Sequence, residues 1–152
     1  NAGIPKTLIP HILNYYSNEY KNNEDLGRVI KDVINTPITP ELIPAQDGSI
    51  SQITEDIVGP YELHDFFLYN LLRLGFGPAK IMYLARHAFA GQYTDDVIRH
   101  WLQTFCRRFF QQQFKRSCLP DGPKVGSVGL SPRGDWDMPS DAWSTLFSSD
   151  IQ

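Results

Sequence analysis

The side chains best suited to chemistry in this chain of 152 residues cluster near its C-terminal end. Arg107-Arg108 and Lys115-Arg116 are interleaved with Phe109, Phe110 and Phe114, and a Pro/Gly loop, Leu119-Pro120-Asp121-Gly122-Pro123-Lys124, follows them. Bases set among aromatic rings are the raw material of a surface for single-stranded nucleic acid. Aromatics at helical spacing more often pack, leaving the bases near a helix C-terminus, where the dipole favours them. Lys115 has a sharper reading. It stands at the expected end of the last long helix, just ahead of the loop. An ammonium there is a compact point charge on a flexible stem, suited to a ligand phosphate or carboxylate. The competing reading is a solvated lysine.

Little else in the chain offers a reacting group. No G-x-x-x-x-G-K is present, nor a G-x-G-x-x-G after a strand, so no phosphate-cradling loop is expected. Gly75-Phe76-Gly77 reads as a connection between helices. His11, His64, His87 and His100 show no i, i+4 pair and no acidic residue completes a metal set, so they read as surface or core histidines. Cys106 and Cys118 are not in a C-x-x-C arrangement, and two free thiols in a reducing compartment, the cytoplasm, are expected over a disulfide.

Composition narrows the partners. With 41% hydrophobic and 20% charged residues the chain is an ordinary globular sequence, long enough to bury one real core. A net charge of −3 argues against general attraction to nucleic acid or anionic lipid. No apolar run approaches the roughly 20 residues that span a bilayer, and no charged-then-apolar leader suggests a signal peptide. The chain opens on Asn1-Ala2 without a methionine, which fits a segment cut from a longer polypeptide.

The elements that must position these groups read as helices. Leu8, Ile9, Ile12, Leu13, Tyr16 and Tyr20 recur at helical spacing, with the regular helix starting at about Pro5 or Lys6 and Pro10 tolerated near its start or kinking it. Asn22-Asn23 breaks it, and Asn23 caps a second helix with Glu24 and Asp25 in its first turn. Leu26, Val29, Ile30, Val33 and Ile34 form its apolar stripe. Pro37, Pro40 and Pro44 punctuate the next stretch, Thr39-Pro40-Glu41-Leu42 suits one helical turn, and Gln46-Asp47-Gly48 is a turn signal. Residues 49–59 suit a short helix or an extended arm. Pro60 to Leu74 reads as one helix closed by Gly75. Pro78 opens another, with Ile81, Met82, Leu84, Ala85 and Ala88 facing inward and Gly91 ending it. Thr94 caps the last long helix, which carries Val97, Ile98, Trp101, Leu102, Phe105, Cys106 and Phe109 at helical spacing. No stretch alternates as a strand would. The expected fold class is all-α, with a helical part over residues 1–118 and a Pro/Gly-rich C-terminal tail over residues 119–152.

The tail has a distinctive wording. Gln113-Phe114-Lys115-Arg116-Ser117, Leu119-Pro120-Asp121-Gly122-Pro123-Lys124-Val125, Leu130-Ser131-Pro132-Arg133-Gly134-Asp135-Trp136 and Pro139-Ser140-Asp141 closely resemble the C-terminal signature of glutamine-dependent NAD+ synthetases. Upstream, Asn1-Ala2-Gly3-Ile4-Pro5-Lys6-Thr7-Leu8, Thr39-Pro40-Glu41-Leu42-Ile43-Pro44, Gly59-Pro60-Tyr61-Glu62-Leu63-His64-Asp65-Phe66 and Ile98-Arg99-His100-Trp101-Leu102 resemble the same family, in order, over nearly the whole chain.

The resemblance implies a parent enzyme with a nitrilase-type glutaminase domain that frees ammonia at a Glu-Lys-Cys site. A tunnel delivers the ammonia to a C-terminal α/β synthetase domain of the adenine-nucleotide hydrolase kind. There ATP, with Mg2+, adenylates the nicotinate carboxylate of deamido-NAD+, and ammonia displaces AMP to give NAD+. This chain has no S-G-G-x-D-S loop and no glutaminase domain, so it is expected to be an inactive helical portion that by itself holds no catalytic residue, metal or cofactor. The family likeness puts deamido-NAD+ binding on Lys115, with a weaker assignment to Arg116, and makes Lys124, Arg133, Asp135 and Trp136 candidate anchors of an interface or of the tail. One departure is Asp137, where the family pattern has Arg. Deamido-NAD+, ATP, glutamine or ammonia, the missing N-terminal domains and further copies of the chain are the implied partners, with no nucleic acid and no membrane. The alternatives are a helical assembly module without catalysis of its own and, less favoured, a nucleic-acid-binding domain.

Overall fold

Caps and breakers decide where the helices of this chain begin and end. A computed structural model describes residues 3–36 and 54–151, and the proline-rich turn signals between residues 37 and 53, like Asn1-Ala2, lie outside the described residues. The chain divides into two compact units. Pro5–Tyr61 make one, and Glu62 onward, together with Gly3 and Ile4, makes the other.

In the first unit, α1 (Leu8–Glu19) packs on α2 (Glu24–Asn35). The regular helix starts at Leu8, not at Pro5 or Lys6, because those two residues supply a turn whose carbonyls take Leu8 N–H at 3.1 Å and Ile9 N–H at 3.3 Å. Pro10 is the third residue of α1, where a missing N–H leaves no intrahelical bond unmade, and the ring is accommodated there. Asn23 caps α2, its Oδ1 accepting Leu26 N–H at 3.1 Å. Only part of the α2 stripe is covered. Ile30 is buried, Leu26 and Ile34 are half-buried, and Val29 and Val33 remain 53% and 56% exposed. The short α3 (Thr54–Val58) ends at Gly59, whose φ of +92° suits glycine alone, and Glu55 Oε1 accepts Tyr61 N–H at 2.9 Å beyond it.

The second unit holds the core. Its first helix, α4 (Tyr61–Leu68), runs into a π-helical turn over Tyr69–Arg73 where the sequence predicts uninterrupted α-helix to Leu74. Asn70 accounts for the difference. It is buried, and its side-chain amide donates to the Phe66 carbonyl at 2.8 Å, the acceptor an α-helix reserves for backbone. The widened turn closes with Phe76 N–H on the Asn70 carbonyl at 3.0 Å and Gly75 in the left-handed region at φ +66°.

Gly77 leads into α5 (Pro78–Ala88), and Thr94 caps α6 (Asp95–Gln111) with its hydroxyl 3.4 Å from Val97 N–H. Ile81, Met82 and Ala85 of α5 are buried as expected, Leu84 is half-buried, and Ala88 is exposed because α5 gives way there to the turn at Phe89–Gly91. α5 packs along α6, and Leu63 and Phe67 of α4 join Ile98, Leu102, Phe105 and Phe109 of α6 in the same core. The described residues are all-α.

The tail folds back onto this unit. Trp136, Met138 and Phe147 pack against the core, and Ile151, just past α8 (Thr145–Ser149), is buried in it. Cys106 is likewise buried, and desolvation pushes its thiol up to about 12, whereas Cys118 is exposed. The thiolate is the reactive form, so in native protein at pH 8 iodoacetamide should leave Cys106 unmodified until the chain is denatured. Peptide mass mapping checks this; rapid native alkylation of Cys106 would contradict the packing.

Candidate functional site

The aromatic–basic stretch does not end as one helix. α6 stops at Gln111, Gln112 turns the backbone (φ −98°, ψ 13°), and a separate short helix, α7 (Gln113–Cys118), carries Lys115. Sequence reasoning placed Lys115 at the end of the long helix; the turn at Gln112 sets it on an element of its own. The turn has a physical use. In a straight helix Arg116 would lie about 10 Å along the axis from Phe109. With α7 reoriented, its guanidinium donates to the Phe109 carbonyl at 2.8 Å and lies 4.5 Å from the centroid of the Phe109 ring.

This arrangement separates the two neighbouring bases. Arg116 is half-buried, its pKa lowered by desolvation, and it ties α7 to the end of α6. Gln113 is buried beside it. Lys115 and Phe114 point the other way and are exposed, and Lys115 makes no side-chain hydrogen bond or ion pair among the described residues. Of the two candidate substrate contacts, only Lys115 presents an unengaged cation.

The other singled-out residues knit the loop that follows. Arg133 meets Asp121 through two parallel bonds, Nε to Oδ2 at 2.7 Å and Nη2 to Oδ1 at 3.1 Å. The same guanidinium donates to the Leu119 carbonyl at 2.5 Å and the Ser117 carbonyl at 3.4 Å, and the Ser131 hydroxyl donates to Asp121. Hydrogen bonds from Arg133 and then from Ser131 hold the Asp121 carboxyl below the usual carboxylate range. A folded-state pKa below the unfolded one gives a contribution fully present above about pH 4 and lost as pH falls through the folded value, so the pair is charged at neutral pH. Lys124 pairs with Asp135 at 2.6 Å. A Cβ on Gly129 would overlap an Asp135 carboxylate oxygen, so a larger residue there would have to displace that carboxylate. Near the chain start, Gly3 lies backbone to backbone against Gly126 and Val128, with a Cβ on Gly3 falling 2.6 Å from the Val128 carbonyl oxygen. Trp136 sits edge-on to Phe109 at 5.6 Å and donates its Nε1–H toward Met138 Sδ at 3.0 Å. Asp137 is exposed.

The same geometry thins the aromatic–basic surface. Phe109 is buried and Phe110 is turned against Phe147 at 5.1 Å, so two of its three aromatics are spent on packing and Phe114 alone of them is exposed. The histidines are dispersed: His64 lies edge-on to Phe105, His87 against Tyr83 and His100 against Trp101. Among the described residues no group of His, Cys, Asp and Glu is placed to hold a metal ion. Sequence reasoning missed Phe147 and Ile151, whose i, i+4 spacing was a visible signal, and missed the Arg133 bonds to the end of α7, for which a loop offers no period.

The likeness to known proteins runs the full length of the chain. The glutamine-dependent NAD(+) synthetase of Mycobacterium leprae is 42% identical over 170 aligned positions that take in all of this chain. Those of Mycobacterium bovis and Mycobacterium tuberculosis are 44% identical over 169 positions and 99% of it. The chain spans about a quarter (25%) of the length of these curated relatives. No family model matches the chain.

Proposed function

We propose that this chain is the C-terminal portion of a glutamine-dependent NAD+ synthetase and supplies one wall of its deamido-NAD+ site through Lys115. The observation that carries the reading is identity of 42–44% along essentially the whole chain to proteins of that name. It favours neither the assembly-module nor the nucleic-acid reading.

In the reaction proposed for the whole protein, the nicotinate carboxylate of deamido-NAD+ attacks the α-phosphorus of ATP with release of pyrophosphate, giving an adenylate, a far better electrophile, from which ammonia derived from glutamine displaces AMP. The exposed Lys115 ammonium suits a phosphate or carboxylate of deamido-NAD+, and Arg116, held on Phe109, supports the helix that presents it. Lys124, Arg133, Asp135 and Trp136 anchor the tail. Among the described residues no group of His, Cys, Asp and Glu is placed to hold a metal ion, and the proposed reading assigns the magnesium and the adenylating groups to the rest of the protein. No described helix is long and apolar enough to cross a membrane. The free thiols suit a cytoplasmic enzyme, and the exposed Trp143 and Leu146 suit burial against other parts of a homo-oligomer.

The test is an NAD+-forming assay with ATP and deamido-NAD+. The full-length protein should turn over with either glutamine or ammonia, and the isolated chain with neither. Failure of the full-length protein to form NAD+ would overturn the reading, and turnover by the isolated chain would overturn its assignment as a non-catalytic portion.

A further inference from the structure

We propose that Arg133 is a positioning residue that caps the C-terminal end of α7 and thereby fixes where the Lys115 ammonium meets an anionic nucleotide substrate. The capping is read from geometry; its link to substrate rests on the assignment of Lys115 above.

A helix of six residues has almost no stability of its own, so its ends must be held from outside. Gln113 at the start of α7 is buried, and Arg116 ties the second half of the helix back to the Phe109 carbonyl. Its other end exposes carbonyls with no intrahelical donor, where a cation is favoured by the dipole. Arg133 supplies that cation from the loop, donating to Ser117 and Leu119. An isolated exposed ion pair contributes little, but this one is not isolated. Asp121 grips the guanidinium through two bonds, Ser131 holds Asp121, and Arg133 N–H returns to the Ser131 hydroxyl at 3.2 Å. The carboxylate therefore sets the plane of the guanidinium, and the guanidinium sets the end of α7. Lysine has the charge but not the fork, and cannot span a carboxylate and two carbonyls together.

Lys115 itself is tethered by nothing among the described residues, so the reach of its ammonium depends on where α7 places its Cα. Misplacement of a substrate-binding group by about 1 Å is enough to cost much of its effect.

The experiment uses the full-length protein with Arg133→Lys, the milder Asp121→Asn, Lys115→Ala, and the Lys115→Ala/Arg133→Lys pair. Deuterium uptake over residues 113–118 reports the clamp, and steady-state kinetics report its consequence. Arg133→Lys should speed exchange in α7 and raise KM for deamido-NAD+ roughly ten-fold, with KM for ATP within about two-fold. Asp121→Asn should shift both readouts in the same direction by less. In the Lys115→Ala background Arg133→Lys should add less than about two-fold, since the group it positions is gone. Unchanged α7 exchange would overturn the clamp. Faster exchange with unchanged KM, or a full ten-fold effect without Lys115, would overturn the positioning role. If Lys115→Ala alone leaves KM for deamido-NAD+ unchanged, the assignment of Lys115 fails, the positioning role falls with it, and the exchange data still decide whether the clamp exists.

Discussion

Lys115→Ala in the full-length protein is expected to raise KM for deamido-NAD+ by roughly 30- to 100-fold while glutamine hydrolysis stays within about two-fold. The size follows from what the side chain does and does not do. Lys115 is exposed on α7 and makes no hydrogen bond or ion pair among the described residues, so removing it takes nothing from the fold. A surface substitution of that kind changes stability by about 0.5 kcal/mol or less. Any larger loss belongs to a partner. A charge-assisted hydrogen bond to a phosphate or carboxylate is worth about 2–3 kcal/mol, and each 1.4 kcal/mol is ten-fold in affinity. Lys115→Arg should recover part of the loss, because it keeps the charge but spreads it over a planar fork. Lys115→Met keeps the stem and should behave as alanine does. Steady-state KM for deamido-NAD+ and for glutamine, measured on the same preparation, separates the outcomes. Equal loss of amidation and glutaminase activity would point to a general defect and sink the assignment.

How much of this was legible in the sequence depended on whether a residue signals locally. Asn23, Pro78 and Thr94 each act on the backbone within a turn, and each marks a helix start where the sequence predicts one. The break at Gln112 carries no such signal. Glutamine is a good helix former, and Gln111-Gln112-Gln113 reads as continuation. What stops α6 is tertiary: Gln113 is buried and Arg116 is drawn to Phe109 only after the chain has turned. The π-helical turn is similar, since Asn70 disrupts the helix through a side-chain bond that a buried site enforces and a solvated one would not. The candidate site divides in the same way. Lys115 was legible from its type and its place before a Pro/Gly loop, and the family likeness raised its standing. That Arg116 turns inward while Lys115 turns out was not, because the two differ by one residue on a helix whose orientation the sequence does not state. Val29 and Val33 lie in the apolar stripe read from the sequence, yet both are more than half exposed, because a stripe states which face is apolar and not what covers it.

Phe109→Ala should lower the local opening free energy of the α6–tail region by about 3–5 kcal/mol, the range for emptying a buried phenylalanine site. The Phe109 side chain joins three parts of the second unit. Its ring meets Phe105 at 5.8 Å within α6, Trp136 of the tail at 5.6 Å, and the Arg116 guanidinium at 4.5 Å. Deleting the ring opens a cavity at the point where α6, α7 and the tail converge, and a backbone between two tied ends cannot collapse to fill it. The backbone carbonyl that Arg116 binds remains in any substitution, so the ring and the carbonyl can be separated. Phe109→Leu keeps most of the volume and should cost about 1–1.5 kcal/mol, because it removes the cation–π attraction and leaves the hydrogen bond in place. Native-state hydrogen exchange at graded denaturant reads these energies without assuming that the whole protein unfolds in one step. Peptides from α6, α7 and residues 136–151 should lose protection together in Phe109→Ala. Gln103→Ala, at an exposed position of α6, should leave all of them within about 0.5 kcal/mol. Loss confined to α6, with the tail still protected, would mean that Phe147 and Ile151 hold the tail by themselves. Joint loss would make the ring of Phe109 the anchor through which the core fixes α7, and with it the position of Lys115.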